Sequence, residues 1–223
     1  GDVKFKDLRP DGVINAGDNT VDNPGDRKVI GNDAARYQFG ISLGASYKGW
    51  SLEVLLQGVG KRDYWLGGPA MFPFGGAGAG DAVFQALYAN QTDYWRAKSY
   101  DPSSSDYMVP VNPDSKLFRI YDQGNNVGSN TRVSDKYLQN AAYMRIKNIT
   151  LAYTLPKEWV KRAFIQDAKF YLSIENLATF SSLPKGYDPE GTAPSSTANA
   201  LSNGISWGYP YYRTISLGAS ITF

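Results

Sequence analysis

The sequence predicts an all-β fold in which about five antiparallel strands with long extracellular loops form a segment of a transmembrane β-barrel. Three observations predict this fold. Apolar and polar residues alternate over stretches of 11 to 13 residues, which is long for strands of soluble proteins. The polar positions of these stretches hold mainly Ser, Gly and Thr. The connections between them are alternately short and long, as in barrels with tight turns at one rim and long loops at the other.

The first two predicted strands, over 37–47 and 50–60, are joined by a tight turn at Lys48-Gly49. In the first strand the apolar positions are Tyr37, Phe39, Ile41, Leu43, Ala45 and Tyr47. The ten residue steps of this strand, at about 3.3 Å each and with a tilt of about 45°, span about 23 Å. This span matches the apolar band of an outer-membrane barrel, which is about 25 Å tall.

The same alternation predicts the remaining elements. In chain order they are a strand over 142–155, a helical turn over 158–164, a strand over 168–177 and a final strand over 211–223. The apolar positions of the third strand change parity between Ile146 and Ile149, so we predict a β-bulge near Lys147-Asn148. Leucines on the apolar faces are predicted to contact lipid at mid-depth: Leu43, Leu52, Leu172 and Leu217.

Two long connections, 61–139 and 178–210, are predicted to lie outside the cell, with the Lys48-Gly49 turn and residues 156–167 on the periplasmic side. The first connection is predicted to contain a short helix over 81–88 and short strands near 117–121. We divide the chain into an extracellular loop region, residues 1–35, and barrel strands with their loops, residues 36–223.

Five strands cannot close a membrane barrel, which needs at least eight, so we expect the C-terminal part of a larger barrel. The chain begins with Gly1-Asp2 rather than Met and shows no signal peptide, which indicates a mature piece or a fragment. No run of 18 apolar residues predicts a membrane-spanning helix, but alternating strands escape such a search.

Composition limits the function. Among 223 residues, 23 Lys and Arg balance 21 Asp and Glu, so the net charge of +2 gives no electrostatic case for nucleic acid as a partner. The chain has no His and no Cys, which excludes Ser-His and Cys-His catalysis, thiolate chemistry and zinc fingers within it. No motif selects a catalytic pair of carboxylates, so we do not expect an enzyme.

Several motifs resemble the SusC/RagA-type TonB-dependent transporters, and they recur in the family's order along the whole chain. The segment Tyr137-Leu138-Gln139-Asn140-Ala141-Ala142-Tyr143-Met144-Arg145-Ile146-Lys147-Asn148-Ile149-Thr150-Leu151 is similar to the family's "YLQNASYLRLKNITLGYTLP". Further matches are Gly25–Asn32, Gln57–Asp63, Glu175-Asn176-Leu177, Leu183–Glu190 and the closing strand with Phe223. The set is far more specific than any one of its members.

This resemblance implies properties that spacing alone does not show. Members form 22-stranded barrels in the cell outer membrane, with an N-terminal plug, and import oligosaccharides, peptides or other large nutrients. A SusD-like surface lipoprotein covers the barrel, and TonB supplies energy through the N-terminal part, which this chain lacks. The resemblance also implies that the terminal Phe223 is a signal for barrel assembly by β-augmentation.

Two groups of residues are candidates for binding. Residues 7–18 have the outline of a calcium loop, with oxygen ligands at Asp7, Asp11, Asn15 and Asp18. Arg9 occupies a usual ligand position and opposes a divalent cation, and a polar turn held by side-chain hydrogen bonds is the alternative. No other cofactor is predicted.

Aromatic residues in the polar loops form the second group, because their rings offer flat apolar faces and polar tips to sugars or peptides. The candidates for substrate or lid contact are Tyr64, Trp65, Tyr94, Trp95, Trp207 and Tyr209. Packing of the loops themselves is the alternative for each ring. For the chain as a whole, a soluble β-rich glycan-binding module and a passive porin remain the alternatives to active import.

Overall fold

The computed structural model of the chain describes residues 1–65, 72, 87, 89–120, 127–185, 187–191 and 211–223. Its strands are β1 (Arg36–Tyr47), β2 (Trp50–Lys61), β3 (Asp63–Trp65), β4 (Leu138–Asn140), β5 (Tyr143–Thr154), β6 (Asp167–Ser181) and β7 (Thr214–Thr222). Its short helices are α1 (Val127–Asn130), α2 (Lys157–Val160) and single 3-10 turns at Ala89–Gln91, Asp135–Tyr137 and Lys161–Ala163. None of the helices in these ranges is long and apolar enough to cross a membrane.

Contacts divide the chain into two units. The loop unit contains Gly1–Gly31 and the described part of Trp65–Leu138. The sheet unit contains Asn32–Tyr64 and the described parts of Gln139–Pro194 and Trp207–Phe223. Each unit is described in turn.

The sheet unit is built on a five-stranded antiparallel sheet with the order β1-β2-β5-β6-β7. Strands that are neighbours in this sheet are also consecutive among its strands along the chain. The Lys48-Gly49 connection between β1 and β2 has positive φ at both residues, 47° and 86°, which is the requirement of a type I′ hairpin turn. The prediction of five long antiparallel strands is confirmed.

One face of this sheet is apolar from edge to edge, because register aligns the apolar positions of all five strands. Across the middle of the sheet run two rows of directly paired residues: Leu43-Val54-Ile149-Ile174-Ile215 and Ala45-Leu52-Leu151-Leu172-Leu217. A third row, nearer the short turns, is mostly aromatic: Tyr47-Trp50-Tyr153-Phe170-Ala219. These side chains are widely exposed in the unit, with Leu217 84% exposed. Such a face needs an apolar surrounding, as lipid provides around a barrel wall.

The other face is polar and carries small residues. The row Gly44-Glu53-Thr150-Ser173-Ser216 crosses it at the level of the apolar leucines. Hydroxyls and amides bond across the strands, since Asn148 Nδ2 donates to Ser173 Oγ at 2.9 Å and Thr150 Oγ1 lies 3.1 Å from the same oxygen. Gly218 lies under the ring of Tyr171, which would clash with any Cβ at that position.

The predicted bulge in β5 is confirmed. In the pairing of β5 with β2, Ile146 pairs with Leu56 and Asn148 pairs with the adjacent Leu55, so Lys147 is the extra residue. The bulge allows apolar residues of opposite parity, Ile146 and Ile149, to share the apolar face. A second irregularity was not predicted. Asn176 in β6 has a left-handed backbone with φ of 51°, and its amide donates to the backbone oxygen of Tyr212 at 3.1 Å.

The largest differences from the predicted strand boundaries are in β6 and β7. β6 continues to Ser181 instead of ending near residue 177, because the irregularity at Asn176 restores alternation beyond it, with Ala178 and Phe180 paired to β5. β7 covers only Thr214–Thr222, so Tyr211 and Phe223 lie outside the ladder. The short strands β3 and β4, which pair with each other, were not predicted, because three residues carry no periodicity.

In the loop unit, Phe72, Leu117, Phe118 and Tyr137 form a buried core. The ring centroids of Phe72 and Tyr137 are 4.8 Å apart in an edge-on arrangement, and burial raises the pKa of Tyr137 to about 12. Leu117 makes a single bridge to Tyr94, so the strand predicted near 117–121 is reduced to one bridge within the described residues. The helix predicted over 81–88 falls outside those residues except for Leu87.

Replacing Leu217 by Arg should lower the free energy of unfolding by about 2–4 kcal/mol, because a guanidinium at the middle of the apolar face must be taken from water into lipid. Ser216→Arg is the matched control, since the adjacent residue belongs to the polar face. Unfolding in urea of the full-length protein in lipid vesicles measures both. Equal losses for the two variants would show that the faces are assigned wrongly.

Candidate functional site

The predicted calcium loop is held together by its own side chains. Asp7 Oδ2 accepts from the backbone N–H of Gly12 at 2.9 Å, and Asp11 Oδ1 accepts from that of Val13 at 2.8 Å. Asn15 Oδ1 accepts from the backbone N–H of Gly17 at 2.7 Å, and Asp18 Oδ2 accepts from Asn23 Nδ2 at 2.8 Å. Among the described residues no group of three or more His, Cys, Asp or Glu could hold a metal ion. A calcium site here stays a prediction.

Asp26, which the sequence analysis did not select, is the hub of this loop. One of its carboxylate oxygens accepts from the backbone N–H groups of Leu8 and Arg9, at 2.7 and 3.2 Å, and the other from that of Asn15 at 2.8 Å. These bonds, the one from Asn15 above all, lower the pKa of Asp26. The carboxylate therefore fixes the fold of residues 8–15 while charged.

The described candidate aromatics occupy packed positions. In the loop unit, Trp65 and Tyr94 pack against the Phe72 core, and Trp95 is half-buried with its backbone N–H bonded to Leu117. In the sheet unit, Tyr64 is buried, and burial raises its pKa. Trp207 and Tyr209 lie outside the described residues. Substrate or lid contact by these six rings stays a prediction.

The polar face of the sheet unit carries a buried charge cluster that we call the Arg145 cluster: Arg145, Lys147, Asp188, Glu190 and Tyr211. Arg145 Nη2 lies 2.7 Å from Asp188 Oδ1, and Arg145 Nη1 lies 3.3 Å from Glu190 Oε2. Lys147 Nζ lies 2.8 Å from the same Glu190 oxygen. The side chains of Arg145, Asp188 and Glu190 are at most 10% exposed. Removing one partner of a pair so well removed from water leaves a buried charge uncompensated, so it costs much more than breaking a surface pair.

Two elements hold Arg145 in place for this role. β5 places Arg145 on the polar face opposite Thr179 of β6, and Arg145 Nε donates to Thr179 Oγ1 at 2.7 Å. Lys147 lies two positions beyond Arg145 on β5, and both side chains contact Glu190 Oε2, so two cations of one strand reach the same segment.

Asp188 ties the cluster to the start of β7. Its Oδ1 also accepts from the backbone N–H of Glu190 at 2.9 Å, and its Oδ2 accepts from that of Tyr211 at 3.1 Å. Burial alone would raise the pKa of Asp188, but these amide bonds and the Arg145 guanidinium outweigh it, so the pKa is lowered. The carboxylate is therefore ionised at neutral pH.

The Tyr211 ring covers both cations of the cluster. Its centroid lies 5.2 Å from the guanidinium carbon of Arg145 and 4.6 Å from Lys147 Nζ, within the range of cation–π attraction. The role of the cluster is to hold residues 187–191 and Tyr211 against the polar face of β5.

No protein-family model matches the chain. The whole chain aligns with two curated proteins of Formosa agariphila, at 25% identity over 228 residues with TonB-dependent receptor P3 and at 24% over 225 residues with TonB-dependent receptor P26. The structure of the RagAB peptide importer in the 'closed-closed' state has the same fold over 83% of this chain, with a TM-score of 0.52 and 22% identity, and the match covers 17% of that chain. The chain is thus similar over its whole length to TonB-dependent receptors, and it shares its fold with a segment of the RagAB importer.

The chain spans about a fifth of the length of the curated relatives that it matches, with coverage of 19% and 20%. Its five-stranded sheet is a barrel segment, as predicted. Both sides of the Arg145 cluster lie in stretches that carry the family resemblance, 137–151 and 183–190. The resemblance was therefore a signal for these residues, but it did not show that Arg145 and Asp188, which are 43 positions apart, form a pair.

Proposed function

We propose that this chain forms part of the barrel wall and the extracellular loops of a TonB-dependent importer in the outer membrane. The continuous apolar face across five antiparallel strands carries this proposal, because it requires lipid on one side while the polar face lines an interior. The TonB-dependent relatives support active rather than passive transport. The relatives are receptors and transporters, which agrees with the absence of a catalytic motif.

The proposed cargo is a large nutrient, an oligosaccharide or a peptide, and the proposed partners are a SusD-like surface lipoprotein, the plug and remaining strands of the same transporter, and TonB. The name of the RagAB neighbour, a peptide importer, supports testing peptides beside oligosaccharides. The loops over 61–139 and 178–210 are proposed to meet cargo and lipoprotein at the cell surface.

A growth experiment tests this function. Three strains are compared on a panel of single oligosaccharides and of peptide mixtures as limiting nutrients: wild type, a deletion of the full-length transporter gene, and a deletion of tonB. We expect at least one nutrient on which both deletions abolish growth and on which a plasmid copy of the transporter restores it only when TonB is present. Uptake that needs the transporter but not TonB would favour a passive porin.

A membrane-fractionation experiment distinguishes a barrel from the remaining alternative, a soluble glycan-binding module. The full-length protein should stay in the outer-membrane fraction after carbonate washing and should migrate faster on gels before boiling than after it, because a barrel resists unfolding by detergent. A soluble glycan-binding module would be released by carbonate and would show no heat-dependent migration.

A further inference from the structure

The connection between β5 and β6 exposes two large aromatic side chains. Trp159 is 65% exposed and Phe164 is 92% exposed, whereas Val160 between them is 4% exposed and anchors the turn. Two large rings exposed five positions apart on one short turn form an apolar surface that a partner of matching chemistry could cover.

The backbone of Phe164 is strained while its ring is exposed. Phe164 has φ of 59° and ψ of 27°, a left-handed conformation that a bulky residue rarely adopts. Two backbone hydrogen bonds keep it there, from the N–H of Phe164 to Lys161 at 3.2 Å and from the N–H of Ile165 to Val160 at 3.2 Å. Strain of this kind, at a position where glycine would fit, indicates that the ring itself is used.

Three exposed cations flank the two rings: Lys157, Lys161 and Arg162. Within the described parts of the chain, none of the three forms an ion pair. Glu158 is the one acid in residues 157–162, so this segment carries a net charge of +2. The turn thus combines an excess of positive charge with uncovered apolar rings.

The turn lies at the strand ends that are next to the mostly aromatic row. Trp50 and Phe170 of that row are each 50% exposed, and the N–H of Leu155, at the start of the turn, donates to Ala168 of β6 at 2.9 Å. Lys48 is in the β1–β2 turn at the same end of the strands, and its Nζ lies 5.2 Å from the centroid of the Tyr47 ring. Aromatic rings favour the boundary between acyl chains and headgroups, and cations beyond them favour the anionic headgroups.

We infer that the β5–β6 turn binds the headgroups of anionic phospholipids in the leaflet on the short-turn side of the barrel. Trp159 and Phe164 lie at the boundary of the acyl chains, and Lys157, Lys161 and Arg162 contact the lipid phosphates. The inference rests on the proposed function, because the apolar face must stand in a bilayer for the turn to reach headgroups.

The test uses the full-length transporter purified from nanodiscs made of zwitterionic phosphatidylcholine with a minor fraction of cardiolipin. Native mass spectrometry counts the anionic lipids that each variant retains. The variant K157Q/K161Q/R162Q removes the three cations of the turn, and K4Q/K6Q/K28Q is the matched control, with the same loss of charge from exposed residues of the loop unit. At about fivefold per cation near a membrane surface, we expect the turn variant to retain cardiolipin at least about tenfold more weakly than the control.

Phe164→Gly supplies a variant that keeps the backbone, since glycine adopts the left-handed conformation without strain. It should fold at least as well as the wild type and still retain less cardiolipin. Heat-dependent migration reports separately whether each variant is a barrel. If the barrels form and the turn variant retains as much cardiolipin as the control, the lipid site is refuted while the importer stands. If the wild type forms no barrel, the proposed function fails first.

Discussion

Replacing Arg145 by Ala should lower the free energy of unfolding by about 3–5 kcal/mol, the usual cost of removing one partner from a buried ion pair. The substitution leaves the carboxylates of Asp188 and Glu190 buried without their guanidinium, and Lys147 reaches only Glu190. Urea unfolding of the full-length protein in lipid vesicles measures the loss. We also expect trypsin to cut at exposed Lys185, because the segment that the cluster holds is released.

The exposed pair in the loop unit provides the control for this variant. Lys98 Nζ lies 3.6 Å from Asp106 Oδ1, and both side chains are more than half exposed. Lys98→Ala should therefore cost less than about 1 kcal/mol. A loss for Arg145→Ala as small as that for Lys98→Ala would mean that the buried cluster contributes nothing that the surface pair does not.

The sign of the pH dependence follows from Asp188. Its pKa is lower in the folded protein than in the unfolded chain, so its contribution is complete above the unfolded value and is lost as pH falls through the folded one. The wild type should therefore lose stability at acid pH more steeply than Asp188→Asn, which cannot titrate there. Parallel losses in the two proteins would assign the acid sensitivity to other groups.

Deleting Phe223 should leave little barrel in the outer membrane and unfolded chain in the periplasm. The expectation follows from the proposal that assembly recognises the last strand with its terminal aromatic by adding it to an exposed edge. Phe223 lies just beyond β7 and is 79% exposed, so as a mere interfacial ring it would contribute only about 1 kcal/mol by burial. A stability change of that size would not prevent insertion.

Cell fractionation followed by gel migration with and without boiling measures the outcome. Phe223→Tyr, which keeps an aromatic ring, should assemble normally. Phe164→Gly removes another exposed phenyl ring and should also assemble, since it leaves the last strand unchanged. Wild-type levels of barrel after deletion of Phe223 would show that the residue is an interfacial aromatic and no more.

The sheet was predictable from the sequence because its face alternation is local. The parity change between Ile146 and Ile149 was enough to predict the bulge at Lys147, and Lys48-Gly49 was enough to predict the hairpin turn. The irregularity at Asn176 was not predictable in this way. A left-handed residue inside a strand depends on its bond to Tyr212, which is 36 positions away.

The candidate site was less predictable because it depends on pairing across long separations. Asp188 and Glu190 read as ordinary loop acids until they are brought to Arg145. The sequence showed that the loops are rich in aromatic residues. Composition does not distinguish a ring that packs inside a loop, such as Trp65 against Phe72, from a ring that binds cargo. Similarly, Asp26 was overlooked because its partners are backbone amides, which every sequence has.

β1 and β7 each have a neighbour on one side only within the described sheet. Each therefore presents a row of free backbone donors and acceptors, beside an apolar surface, to whatever strand it meets. Expressed by itself, this polypeptide should stack edge to edge into aggregates rather than stay monomeric. The same two edges make a split-protein assay feasible: coexpression with a polypeptide that carries the remaining strands should restore a closed wall, and the yield of soluble complex in detergent would report which strands are complementary.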